Sequence, residues 1–152
     1  MVNKALAIAS SLSSIVLLLP SITPLAFAQT VVATVPVGSV PRNVGVNDKT
    51  NRAYVANEGS GTVSVIDGST NTVVATVSVG SFPRDVGVND KTNRAYVANF
   101  GSGTVSVIDG STNTVVATVL VGSFPEGVGV NDKTNRAYVA NTVSGTVTVI
   151  SG

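Results

Sequence analysis

The chain has 152 residues, 43% of them hydrophobic and only 11% charged, with nine Lys or Arg set against eight Asp or Glu. Histidine, cysteine and tryptophan are absent, which excludes disulfides, Ser-His-Asp and Cys-His catalysis and the usual zinc centres. A balance this close to neutral lacks the clustered basic surface that drives binding to phosphate backbones or anionic membranes, so neither is expected as a partner.

The N-terminus differs in character from everything that follows. Lys4 precedes an apolar run from Ala5 to Leu19 that breaks at Pro20, and Ala26 and Ala28 stand at the small-residue positions of an A-x-A processing site. The pattern reads as a secretory signal peptide spanning residues 1–28. Its apolar run of about fifteen residues falls short of the roughly 20 that a spanning helix needs. Cleavage after Ala28 removes Lys4 and leaves eight basic against eight acidic side chains. The mature protein is then expected to be secreted or displayed at the cell surface, held together by sheet pairing and apolar burial alone.

Residues 29–152 form a repeat region. A block beginning VVATV occurs at Val31, Val73 and Val115, a spacing of 42 residues, and the units 31–72, 73–114 and 115–152 are copied almost letter for letter. Periods of about 40–45 residues built from several short strand patterns mark β-propeller blades, each a sheet that cannot bury its faces alone.

Within one unit four strands are predicted. Strand a runs from Asn43 to Asn47, and the turn DKTN leads into strand b, Arg52 to Asn57, where Tyr54 and Val55 favour extended backbone. The turn EGSG precedes strand c, Thr62 to Asp67, and GSTN, with Gly68 and Asn71 suited to positive φ, precedes strand d, Thr72 to Val79. Connections this short require an antiparallel meander. Strands that are apolar nearly throughout, such as Val73, Val74 and Val77, expect cover on both faces, which stacked blades provide.

RAYVAN, GTVSVIDGSTNTVVATVSVG and P-x-x-VGVN together resemble the YVTN family of β-propeller repeats, whose b strand carries a Tyr-Val-x-Asn core. Here that core is Tyr54-Val55-Ala56-Asn57, with Ala where the family usually has Thr. The resemblance covers residues 30 to 152 and implies an exported or surface-displayed propeller. Relatives with similar blades include both lactonases and binding domains, so the fold does not supply the activity.

Three blades are fewer than the four to eight with which propellers close. The repeat region opens with a d-strand pattern, Val31 to Val37, and reaches only a c-strand pattern, Thr146 to Ser151. One expectation is a head-to-tail homodimer, the d strand of each chain completing the last blade of the other to give a six-bladed ring. The alternative is an open three-blade arc, or a fragment of a longer propeller without independent function.

For chemistry, no catalytic, metal or cofactor site is expected. Asp67, Ser69 and Asn71 have the 1, 3, 5 spacing of an oxygen-ligand loop, but Thr72 and Ser78 stand where an EF-hand needs Gly and Glu. A turn-capping role is expected for Asp67 and Asp109, and solvated turn charges for Asp48, Asp90, Asp132 and their neighbouring lysines. Arg52, Arg94 and Arg136 are expected to pair with nearby aspartates. The copies differ mainly in the d-to-a and b-to-c connections, which a meander brings to one face. That face carries Arg42, Glu58, Phe82, Arg84, Asp85, Phe100, Phe124 and Glu126, residue types that anchor interfaces. The expected function is binding or scaffolding, with a protein or surface-layer component of the cell envelope as partner. The alternative is a carboxylate- or metal-dependent, lactonase-like enzyme using Asp85 and Glu126.

Overall fold

The computed structural model describes residues 29–152, so the expected signal peptide lies outside the described residues. The compact unit, Ala33–Gly152, is all-β and contains three sheets. The first is β1 (Pro41–Asn47), β2 (Arg52–Asn57), β3 (Thr62–Asp67) and β4 (Thr72–Ser78). The second is β5 (Pro83–Asn89), β6 (Arg94–Asn99), β7 (Thr104–Asp109) and β8 (Thr114–Leu120). The third has three strands, β9 (Pro125–Asn131), β10 (Arg136–Asn141) and β11 (Thr146–Ser151). Every sheet is an antiparallel meander in chain order, and the whole is a propeller-like β repeat with an incomplete set of blades.

Strands b and c begin and end where turn chemistry places them. Asn51, Asn93 and Asn135 take φ of 52°, 53° and 53°, and Gly61, Gly103 and Gly145 take 63°, 63° and 61°. These are left-handed turn positions, which Asn tolerates and Gly adopts without steric cost. Asn71 has the expected positive φ of 54°, whereas Gly68 does not. Strand a differs from expectation by starting earlier, at Pro41, Pro83 and Pro125. Proline fits as the first residue of a strand because no ladder partner needs its missing N–H. The register slips just after it, between Pro41 and Val44 in the first sheet.

Val31–Val37, expected as a d strand, carries no strand in the structure. The reason is partnership: its counterparts β4 and β8 pair with β3 and β7, whereas β11 pairs only with β10.

The core lies between sheets, not within one. Tyr54, Val63, Val65 and Val77 of the first sheet pack on Val86, Ala95, Val97 and Ile108 of the second. The pattern then repeats, with Tyr96, Val105 and Val107 against Ala137, Val139 and Ile150. Sheets approach closely because strand a carries glycine at its centre. A Cβ on Gly45 would lie 2.6 Å from the Val86 carbonyl oxygen and one on Gly87 2.9 Å from that of Val128, separations that real side chains do not reach. The central sheet is therefore covered on both faces, and β6 is buried almost throughout while β10 alternates buried and exposed.

Candidate binding face

Two sets of connections meet at one end of each sheet. The Glu58 N–H donates to the Val40 carbonyl at 2.9 Å, Phe100 to Phe82 at 3.0 Å and Thr142 to Phe124 at 3.1 Å. The d-to-a and b-to-c connections thus lie side by side on one face, as the meander requires. At the opposite end the uniform turns are tied by Gly68 to Asn51 and Gly110 to Asn93, both at 2.9 Å. All the sequence differences that cluster in the first set of connections fall on a single face.

The backbone there is held in an uncommon conformation. Val40, Phe82 and Phe124 have φ of 53°, 52° and 55°, which for a β-branched or bulky residue costs on the order of 1–3 kcal/mol. Paired backbone hydrogen bonds from the neighbouring turn hold it, as with Glu58 to Val40 and Gly59 to Ser39. The consequence is that Phe82 and Phe124 are turned outward, 54% and 41% exposed, with Phe82 lying over Gly101.

Arg84 is the centre of a network that crosses all three sheets. Its Nε donates to Glu58 Oε1 at 3.2 Å and its Nη1 to Glu126 Oε1 at 2.9 Å. Arg42 donates to the other oxygen of Glu58. The Arg84 guanidinium also lies 3.4 Å above the centroid of the Phe100 ring. Phe100 in turn packs against Phe124, centroids 4.7 Å apart and planes at 54°. Phe100 is thus half-buried and not the freely exposed ring its turn position implied. The Arg42 hydrogen bond, reinforced by Arg84, holds the Glu58 carboxyl below its ordinary range against the opposing effect of burial. Glu126 is closed from its other side by Thr142 Oγ1 at 3.2 Å.

Asp85 plays a different part. Its two oxygens accept the N–H groups of Val86 at 2.9 Å and Val128 at 2.7 Å, so it staples the second sheet to the third. Arg42, Asn43, Arg84, Asp85 and Glu126 line an open polar basin of about 290 Å³. Seven of the eight residues expected at this face, all but Phe82, are joined in this way to one another or to this basin. Among the described residues no group of three or more His, Cys, Asp or Glu comes together as a metal-binding cluster.

The turn aspartates behave as caps. Asp67 Oδ1 accepts the Ser69 N–H at 2.8 Å and the Ser69 hydroxyl, and Asp109 repeats this with Ser111. The serine hydroxyl contributes most to holding both carboxyls below the ordinary range. Arg52 reaches Asp67 at 3.6 Å.

What sequence reasoning missed is an asparagine system between the blades. Asn47 Nδ2 donates to Asn93 Oδ1 and Asn89 Nδ2 to Asn135 Oδ1, both at 3.0 Å, while Asn89 Oδ1 accepts the N–H groups of Lys91 and Thr92, also at 3.0 Å. The Asn of each RAYVAN is buried and donates to Thr and Ser or Thr hydroxyls of strand c. Its signal was present: Asn recurs unchanged at the end of strands a and b in all three copies.

No family model and no curated protein sequence matches the chain. Among solved structures it is similar to the hydrazine synthase of Kuenenia stuttgartiensis, with a TM-score of 0.70 at 23% identity over 81% of this chain and 36% of that one. A functionally unknown protein from Desulfotomaculum acetoxidans aligns with a TM-score of 0.62 at 15% identity, over 76% of this chain and 43% of that one. Apo AztD from Citrobacter koseri aligns with a TM-score of 0.55 at 21% identity, over 62% and 27%. The chain thus spans less than half the length of each. At these identities the likeness concerns architecture, and it places the chain among propeller-like β repeats.

Proposed function

We propose that this is an exported YVTN-type propeller-repeat protein whose varied face binds a protein or surface-layer component of the cell envelope, without catalysis. One observation carries the reading: most of the residues that differ among the near-identical blades, all but those at Thr148 and Ser151, gather on one face. There they build an Arg84-centred network flanked by the outward rings of Phe82 and Phe124. Rigid aromatic anchors beside arginine are the chemistry of protein interfaces. An enzymatic role through Asp85 and Glu126 has less support, because Asp85 is engaged by two backbone N–H groups and Glu126 by Arg84.

The test is retention of the exported protein on the producing cell. Replacing Phe82 and Phe124 with Ala together is expected to release at least about tenfold more protein into the medium, a loss of about 1.4 kcal/mol or more. Replacing Lys49, Lys91 and Lys133 with Ala on the uniform face is expected to change nothing. Equal release by both variants would overturn the assignment of the face, and full retention of the Phe variant would overturn it as well.

A further inference from the structure

The same cleft occurs twice in the molecule. Eight positions, one repeat apart, line hollows of about 330 and 320 Å³ between a d-to-a connection and strands c and d of the sheet that follows it. Only Pro36 against Ser78 changes residue type between the two. In the first, Ser60, Thr62 and Ser64 form one side, and in the second Ser102, Thr104 and Ser106. The second lies wholly within the repeats, with Val79 and Gly80 facing β7 and β8. Neither cleft is lined by a charged side chain.

A buried asparagine sets the direction of the hydroxyls. Asn99 Nδ2 donates to Thr104 Oγ1 at 3.1 Å and to Ser106 Oγ at 2.9 Å. Ser102 Oγ accepts the Ser81 N–H at 3.1 Å and shares one proton with Thr104 Oγ1, also at 3.1 Å. Three hydroxyls bring three protons and one is used between Ser102 and Thr104, so the other two have no acceptor among the described residues. One of these belongs to Ser106, which lines the cleft although it is only 2% exposed. Thr118, opposite Ser106 in the ladder of β7 with β8, adds a further hydroxyl. The first cleft repeats the pattern, with Asn57 donating to Thr62 and Ser64, Ser60 bonded to Thr62, and the Ser39 N–H bonded to Ser60. Backbone donors are taken, since the Val79 N–H goes to the Gly61 carbonyl at 3.1 Å and the Ser81 N–H to Ser102.

Ser102 also borders a hollow of about 230 Å³ between Phe100 and Phe124, floored by Gly101 and Gly103, with Phe82 lying over Gly101. A cleft of hydroxyls and valines thus adjoins a hollow walled by aromatic rings, and neither holds a charge. We propose that the cleft and the hollow together bind a neutral carbohydrate, and that the repeated clefts engage successive parts of one polysaccharide. Sugar oxygens accept the two unpaired hydroxyl protons, while the C–H faces of the rings pack on Val79, Val115 and Phe124. Such a mixture of an apolar lining with a few directed polar groups is the usual make-up of a ligand site. An anion meets no positive charge in either hollow, and an extended peptide meets no unpaired backbone N–H in the cleft. Two like sites on one chain raise the affinity for a polymer above that for its single unit. The inference goes beyond the reading above, because it uses the hydroxyls of strand c and not the Arg84 network, and it is tested on the purified protein without the cell.

Native affinity electrophoresis tests this in gels containing dextran, mannan or galactan, beside gels containing polygalacturonate or poly-L-proline. Retardation by at least one of the three neutral polymers is expected, and none by the acidic polymer or the peptide. The matching free monosaccharide is expected to bind about 100-fold more weakly than its polymer. Ser64→Ala with Ser106→Ala is expected to weaken binding about tenfold by removing the buried hydroxyls. Thr76→Val with Thr118→Val changes only exposed positions, keeps the sheet signature in circular dichroism, and is expected to weaken binding about threefold; this pair decides the matter where the serine variant does not fold. Migration unchanged by all three neutral polymers would overturn the proposal, as would full binding by the threonine variant. Retardation by polygalacturonate would assign the clefts to an anion, and retardation by poly-L-proline would assign the hollow to an extended peptide; either result overturns it too.

Discussion

Asn89 shows how one side chain organises a blade boundary. It is fully buried and all its polar groups are used, with the carbonyl accepting two turn N–H groups and the amide donating to the next blade. Asn89→Ala leaves those groups unpaired, so a loss of about 2–4 kcal/mol is expected, measured as a shift in the urea midpoint. Glu58, Asp67 and Asp109 set the acid limit. Hydrogen bonds, from Arg42 to Glu58 and from Ser69 and Ser111 to the aspartates, hold their folded carboxyls below the ordinary range. A group depressed in this way contributes stability that is complete above its unfolded value and is lost as pH falls through its folded one. The denaturation midpoint is therefore expected to be flat from neutrality to about pH 5 and to fall below about pH 4. Ser69→Ala with Ser111→Ala is expected to shallow that fall; an unchanged acid limb would contradict the role of these caps.

The strands differ in what their burial demands, although their sequences are nearly the same. Val105 on β7 is 0% exposed in the contact between the second and third sheets, whereas Val116 on the outer strand β8 is 48% exposed. Val105→Thr buries a hydroxyl without a partner and is expected to cost about 1–3 kcal/mol, while Val116→Thr is expected to stay within about 0.5 kcal/mol. Thermal melts of the two variants test this, and equal costs would mean that β8 is covered. The boundaries of strands b and c were legible from turn residues, since Asn and Gly at positive φ punctuate the chain wherever strands reverse. The start of strand a was not, because a proline in a connection reads as a stop. Only the paired sheet shows that a first strand residue needs no N–H.

At the scale of the molecule, two sheets are half uncovered and one is wrapped on both sides. β6 is buried almost throughout, whereas β10, identical in sequence, is buried only at alternate residues, so the amides of β6 are expected to exchange hydrogen more slowly than those of β10. Equal exchange in the two strands would mean that the third sheet is covered as fully as the second.

The repeat length, strands a, b and c of each unit, the meander and the face that gathers most differences between the copies were all legible in the order of amino acids, whereas the first d strand, expected at Val31 to Val37, was not formed. The legible features follow from local periodicity and turn chemistry, which need only near neighbours along the chain. The sequence also pointed to the eight residues of the varied face, because drift from a near-identical template is visible letter by letter. Only the tertiary structure decided how those residues are employed. Arg84 became a hub, Asp85 a staple and Phe100 a covered ring because their partners stand one or two repeats away, brought near by sheet stacking and not by spacing in the chain. The same reason separates three tyrosines in identical strands: Tyr54 and Tyr96 meet a following blade, and Tyr138 does not.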